Sequence, residues 1–282
     1  MNTLQRAEVK RFLISGNHDN LFEVWPGGTL MERSVHGNAA LRRALIVEVL
    51  KRTAHAVVPE ILKNSGHEAW ARAKFTPMVR GLFPKCERKI ILGMLECSVV
   101  FLTPTTIATV LEKTQWLRTA WDLANLYLAS FDVMPLSREG QEIAGLSEET
   151  TCYVAADYFS ITDPFLDYVV HEAAHIFHNC KRKTLGLPAT RNREWLLEID
   201  FSKRETFAYA CETYNQIIER GETRSDRDRL LSELEDRPVI WDERVDITEY
   251  IDILREAVAV RNGWKRILER CSPPRPTVAI NC

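Results

Sequence analysis

His171 and His175 stand four residues apart in a stretch, Val169–Phe177, that also holds Val169, Val170, Ala173, Ala174 and Phe177. This pattern constrains the chain more than any other. It reads as a buried helix, on which residues four apart lie about 40° from each other around the axis, so both imidazoles face one point. Such a pair is a chelate for a single metal ion. Glu172 lies beside the first imidazole, placed to take a proton from a metal-activated water and return it to a leaving amine. Ala173 and Ala174 are small enough to leave room beside the ligands. The plain alternative is a helix whose two histidines are only packed or capped.

The flanking sequence supports the helix. Thr151–Phe159 has strand composition, and Asp163-Pro164 is a helix start, with Asp as N-cap and Pro in the first turn. Arg204–Arg220 reads as a second helix that Gly221 ends. Elsewhere, Ala39–Val58 is expected to be a helix ending before Pro59, and Pro77 and Pro84 to break the region that follows. Ile90–Leu102 fits a buried strand or a helix equally. Thr105–Ala129 is expected to be one long core helix, with Trp116 and Trp121 among its packing positions. Pro135–Glu149 reads as a surface loop, 222–237 as charged and solvated, Ile247–Leu268 as a last amphipathic helix, and Pro273–Pro276 as an extended tail. The fold class expected is helix-rich α+β. The chain divides into an N-terminal helical and loop region (1–100), a core carrying the motif (101–221) and a C-terminal helical region with the tail (222–282).

His171-Glu172-Ala173-Ala174-His175, with its preceding strand and following helix, resembles the HExxH metallopeptidases of the zincin superfamily over about residues 151–215. The resemblance implies a Zn2+ cofactor, a peptide or protein substrate, and Glu172 as the general base. It also implies an edge strand, here Thr151–Phe159, that binds substrate in extended form beside the motif helix. The metzincin branch requires a glycine and a third histidine where this chain has His178 and Lys181, so it is excluded.

No histidine follows His178, so the third ligand should be a carboxylate, with Glu194, Glu198, Asp200, Glu205 and Glu212 as candidates. Arg204-Glu205-Thr206-Phe207-Ala208-Tyr209-Ala210 resembles the ligand helix of gluzincins, which favours Glu205; Glu194 has the spacing of one aminopeptidase branch. Helical spacing puts Ala208, Tyr209 and Glu212 on the face of Glu205. Tyr209 or Glu212 there would orient a histidine or stabilise an oxyanion, although surface exposure is the ordinary reading for both. His178 is read as packed or exposed, and Cys180 as a buried free thiol.

Basic and acidic residues number 37 and 39, a near-neutral balance that offers no overall field for nucleic acid or an anionic membrane. Glu96 and Pro104 interrupt the most apolar stretch, so a membrane span is not expected. Charged residues among the first twelve argue against a secretory signal, and seven cysteines without a CxxC pair argue for reduced thiols, giving a cytoplasmic expectation. The basic link Lys181, Arg182, Lys183, Arg191 and Arg193 is usually a solvated loop; its functional version would grip an acidic or nucleic-acid segment. The function expected is a zinc-dependent peptidase, and the rival is a zinc-binding regulatory module of the same fold without turnover.

Overall fold

In a computed structural model, which describes residues 1–62, 67–137, 145–236, 240 and 242–274, the chain is helix-rich with one small sheet. Two compact units emerge, each assembled from distant parts of the sequence. The first combines residues 1–65, 100–148 and 153–161; the second combines 66–99, 149–152 and 162–282. The chain crosses between the units at 99–100, near one expected division, whereas residue 221 lies inside the second unit, because a core is closed by whichever apolar faces meet, not by order along the chain.

In the first unit, α1 (Thr3–Ser15), α2 (Leu30–Arg52), α5 (Ile107–Lys113) and α6 (Leu117–Ala129) enclose a core containing Phe12, Leu41, Leu45, Ile107, Trp121 and Tyr127. A capping box between Thr29 and Glu32 starts α2. The helix ends at Arg52, short of Val58. The single helix expected over Thr105–Ala129 is two, interrupted at Thr114–Trp116, and Trp116 is exposed, not packed. Arg42 explains the break: its guanidinium donates to the Leu111 and Thr114 carbonyls, which are thereby satisfied outside a continuous helix.

The sheet holds β1 (Val99–Leu102), β2 (Gly145–Glu148) and β3 (Thr151–Ala155) in the order β1-β3-β2. This corrects the edge-strand expectation. The strand within Thr151–Phe159 is the central one, so both of its backbone edges are paired and neither is free to take an extended peptide. It also ends at Ala155, where a turn leads to a short 3-10 helix. The Pro135–Glu149 loop contributes β2, and residues 138–144 of it lie outside the described residues.

The second unit is helical. It contains α3 (His67–Leu82), α4 (Arg88–Glu96), α7 (Tyr168–Asn179), α8 (Arg204–Arg220), α9 (Arg224–Glu235), α10 (Ile247–Ala259) and α11 (Gly263–Cys271). Pro77 sits inside α3 without ending it, and Ile90–Leu102 resolves into helix followed by strand. The charged 222–237 segment is mostly a helix that buries Leu230, Leu231 and Leu234. The final helix is two, α10 and α11, separated at Val260–Asn262. Of the Pro-rich tail, residues 275–282 lie outside the described residues.

α8 is the axis of this unit, packing against α7, α10 and α11. Ala208 and Ala210 are fully buried on it, as are Ala173 and Ala174 on α7. Gly263 permits close approach of α11 to α8, since a Cβ there would lie 2.4 Å from the Tyr214 ring. No helix among the described residues is long and apolar enough to cross a membrane. Because Phe207 is fully buried on α8, Phe207→Ala is expected to destabilise this unit by about 3–5 kcal/mol, measured by urea unfolding.

Candidate metal centre

α7 begins four residues later than Asp163-Pro164 implied. Asp167, fully buried, is its N-cap and accepts the Val170 N–H, while the Asp163 carboxylate closes a local turn by accepting the Phe165 N–H. At the other end, the Phe177 and Cys180 carbonyls accept the Leu197 and Leu196 N–H groups, so the segment after the helix folds back on its terminus. Both histidines therefore lie well inside a helix fixed at each end.

The three residues favoured as ligands come together. His171 Nε2 and His175 Nε2 are 3.0 Å apart, and Glu205 Oε2 lies 3.7 Å from the first and 3.3 Å from the second. This His171, His175, Glu205 group can hold a metal ion: one ligand atom from each lies within 4.8 Å of the others.

The surrounding hydrogen bonds select the tautomers such a site needs. His171 Nδ1 donates to Glu212 Oε2 at 3.0 Å, which leaves Nε2 as the nitrogen facing the cluster, the one whose proton a metal would displace. Glu212 Oε1 accepts the Asp167 backbone N–H at 2.6 Å. The Asp167 carboxylate is in turn held by Lys74 Nζ at 2.7 Å and Gln216 Nε2 at 3.0 Å. His175 Nδ1 meets His178 Nε2 at 3.0 Å, and His178 Nδ1 lies 3.2 Å from Asn179 Oδ1. His178, buried and held neutral with a pKa pushed down to about 3 by burial, then by His175 and Arg204, serves as the acceptor that orients His175. The two histidines thus have unequal backing, a carboxylate behind one and a neutral imidazole behind the other.

Glu172 is buried, and its charge acts on both His171 and the buried Cys152 thiol, which burial and then Glu172 push well up. Tyr209 sets its ring against that of His171, with centroids 4.5 Å apart at 74°. Burial, followed by Glu212, Asp242 and Glu205, raises its phenol, which stays protonated as a donor. Surface exposure therefore fails as the reading for Tyr209 and Glu212. Two further contacts went unread in the sequence: Lys74 on Asp167, and Arg244 Nη1 on Glu205 Oε1 at 2.8 Å. Their separations in sequence from the motif leave no periodic signal.

The rival carboxylates are engaged elsewhere. Glu194 is exposed and pairs with Lys181; Glu198 accepts the Glu194 and Trp195 N–H groups; Asp200 caps the short turn at Ser202. Cys180 is buried, and burial raises its thiol. In the basic link, Arg182 is buried on Glu87, Arg193 joins the same carboxylate, and Lys181 pairs with Glu194 at the surface, so two carboxylates engage three of its five cations.

Comparison with protein families, with curated proteins and with solved structures finds no match to this chain.

Burial alone would push the His171 imidazole down, but Glu205, Glu212 and Glu172 outweigh it and hold its pKa up at about 10. In the metal-free chain this proton adds stability in full below pH 6.5, and that contribution is lost as pH rises through about 10. A metal must displace the proton, so metal affinity is expected to climb with pH between 7 and 9, checked by competition with a chromophoric chelator. In the same assay Glu212→Ala should weaken binding about 10- to 100-fold, and Glu194→Ala should leave it unchanged.

Proposed function

We propose that this protein is a zinc-dependent hydrolase acting on peptide bonds, with a zincin-like site formed by α7 and α8. The observation that carries the reading is the convergence of His171 Nε2, His175 Nε2 and Glu205 Oε2, with separations of 3.0, 3.3 and 3.7 Å. Three ligand atoms at zinc distances in a tetrahedral site stand about 3.3 Å apart, so the donor set fits in kind and in spacing. Two imidazoles and one carboxylate also leave a coordination position for substrate or water, the pattern of a catalytic rather than a structural site.

A zinc ion held by His171, His175 and Glu205 supplies Lewis acidity, which acidifies water and polarises a carbonyl. The remaining work falls to the chain's own groups. Glu172 accepts the proton of the attacking water on its carboxylate and passes it to the leaving amine nitrogen. Its burial next to His171 in the chain supports that role, because a carboxylate held inside the fold is fixed in place for proton transfer. Tyr209, kept protonated, donates its hydroxyl proton as a hydrogen bond where negative charge develops on the carbonyl oxygen. Glu212 and His178 hold the two imidazoles in the tautomer and orientation that ligation requires.

A peptide or protein substrate is the class this chemistry suits. Three of the five cations of the basic link are already engaged by carboxylates, which argues against a nucleic-acid role. A module that binds zinc without turnover would have no need of a buried glutamate next to its first ligand.

The test is Glu172→Gln. The variant is expected to keep about one zinc per chain by elemental analysis and to lose peptide hydrolysis about 10²- to 10⁴-fold, measured on substrates found by proteome-wide comparison of cleavage termini. Wild-type turnover in this variant would remove Glu172 from the reaction. Full zinc content in a His171→Ala, His175→Ala double variant would place the metal elsewhere.

A further inference from the structure

Glu205 divides its two oxygens between two sets of partners. Oε2 lies 3.3 Å from His175 Nε2, whereas Oε1 is ion-paired with Arg244 Nη1 at 2.8 Å. Arg244 is itself gripped from the other side. Its Nε lies 2.9 Å from Asp242 Oδ1 and its Nη2 lies 2.6 Å from Asp242 Oδ2, a two-point contact that fixes the plane of the guanidinium and leaves Nη1 for Glu205. The Arg244 side chain is 67% exposed, so packing does not place it; the two carboxylates do. Residues 242–245 thus bring a cation to the outer oxygen of the third ligand, from a segment well beyond α8 in sequence.

We propose that Arg244 is a positioning residue that restricts Glu205 to ligation through Oε2 alone, so that a coordination position stays open for substrate. The inference rests on the metal-centre reading above. A carboxylate has two equivalent oxygens and can offer both to a cation. An ion pair between a guanidinium and one of them competes directly with a second metal contact at that oxygen. The loss of that contact is what keeps the site at three protein ligands, the condition for an open position. Lysine would not serve equally, because a single ammonium cannot hold Asp242 with one edge and Glu205 with another. Asp242 therefore belongs to the device: it aims the guanidinium.

Cobalt(II) added to the metal-free full-length chain reports coordination number directly, since four-coordinate cobalt absorbs visible light more strongly than five- or six-coordinate cobalt. The wild type is expected to show the intense four-coordinate band, and His171→Ala to abolish it. Arg244→Ala frees Oε1 and should lower the band by about half or more, with cobalt affinity changed by no more than about 100-fold. Arg255→Ala, which removes an exposed arginine paired with Glu235 and Asp252, should leave the band at wild-type intensity. An Arg244→Ala spectrum equal to the wild type's would overturn the inference while the metal centre stands. Absence of cobalt uptake by the wild-type chain would overturn the metal centre itself, and the role of Arg244 with it.

Discussion

Glu212 accepts His171 Nδ1 with one oxygen and the Asp167 backbone N–H with the other, so a single buried side chain of α8 binds both the start of α7 and the first histidine of its motif. Removing a charged partner from a buried contact of this kind leaves the other groups desolvated and unpaired, which makes the register of the two helices specific. The small residues of the interface bring the backbones close, and Glu212 sets which turn of α8 faces which turn of α7. Glu205, two turns earlier on the same face, reaches the imidazoles as a consequence.

Three acids of the second unit are each engaged by more than one partner. Asp167 has Lys74 and Gln216, Glu87 has Arg182 and Arg193, and Glu205 has Arg244 and the two histidines. The cluster at His171 is the place where acid outweighs base, since Glu172, Glu205 and Glu212 all act on one imidazole. A site with surplus negative potential, two imidazoles and a carboxylate oxygen turned to one point is suited to a dication that displaces the imidazole proton. The ion pair of Arg182 and Glu87 has a different task. It ties the loop after α7 to the start of α4, and with it the fold-back that satisfies the last carbonyls of the motif helix.

What could be read from the chain, and what could not, divides along the range of the interactions. The motif helix, the α8 helix with Gly221 after it, and the face shared by Glu205, Tyr209 and Glu212 follow from periodicity that spans only a few residues, and they stand in the structure. Two helix boundaries were displaced by side chains that satisfy backbone groups. Arg42 satisfies the carbonyls of Leu111 and Thr114 and splits the helix expected over Thr105–Ala129, and buried Asp167 captures the cap that Asp163 was expected to provide. Local composition identified Thr151–Phe159 as a strand but held no information on its neighbours, and pairing on both sides made it the centre of the sheet.

The sequence by itself determined the chemistry on offer: two imidazoles and a glutamate at helical spacing, and a downstream carboxylate in place of a third histidine. Covalent order and the 3.6-residue turn suffice for that. Only the tertiary structure decided which carboxylate arrives and how it is held. Glu205 meets the histidines, whereas Glu194, Glu198 and Asp200 are consumed by local partners. Lys74, His178 and Arg244 acquire their places from contacts between separate elements or turns of helix. Such contacts depend on how cores close and buried charges pair, which is a property of the whole fold and leaves no period in the chain.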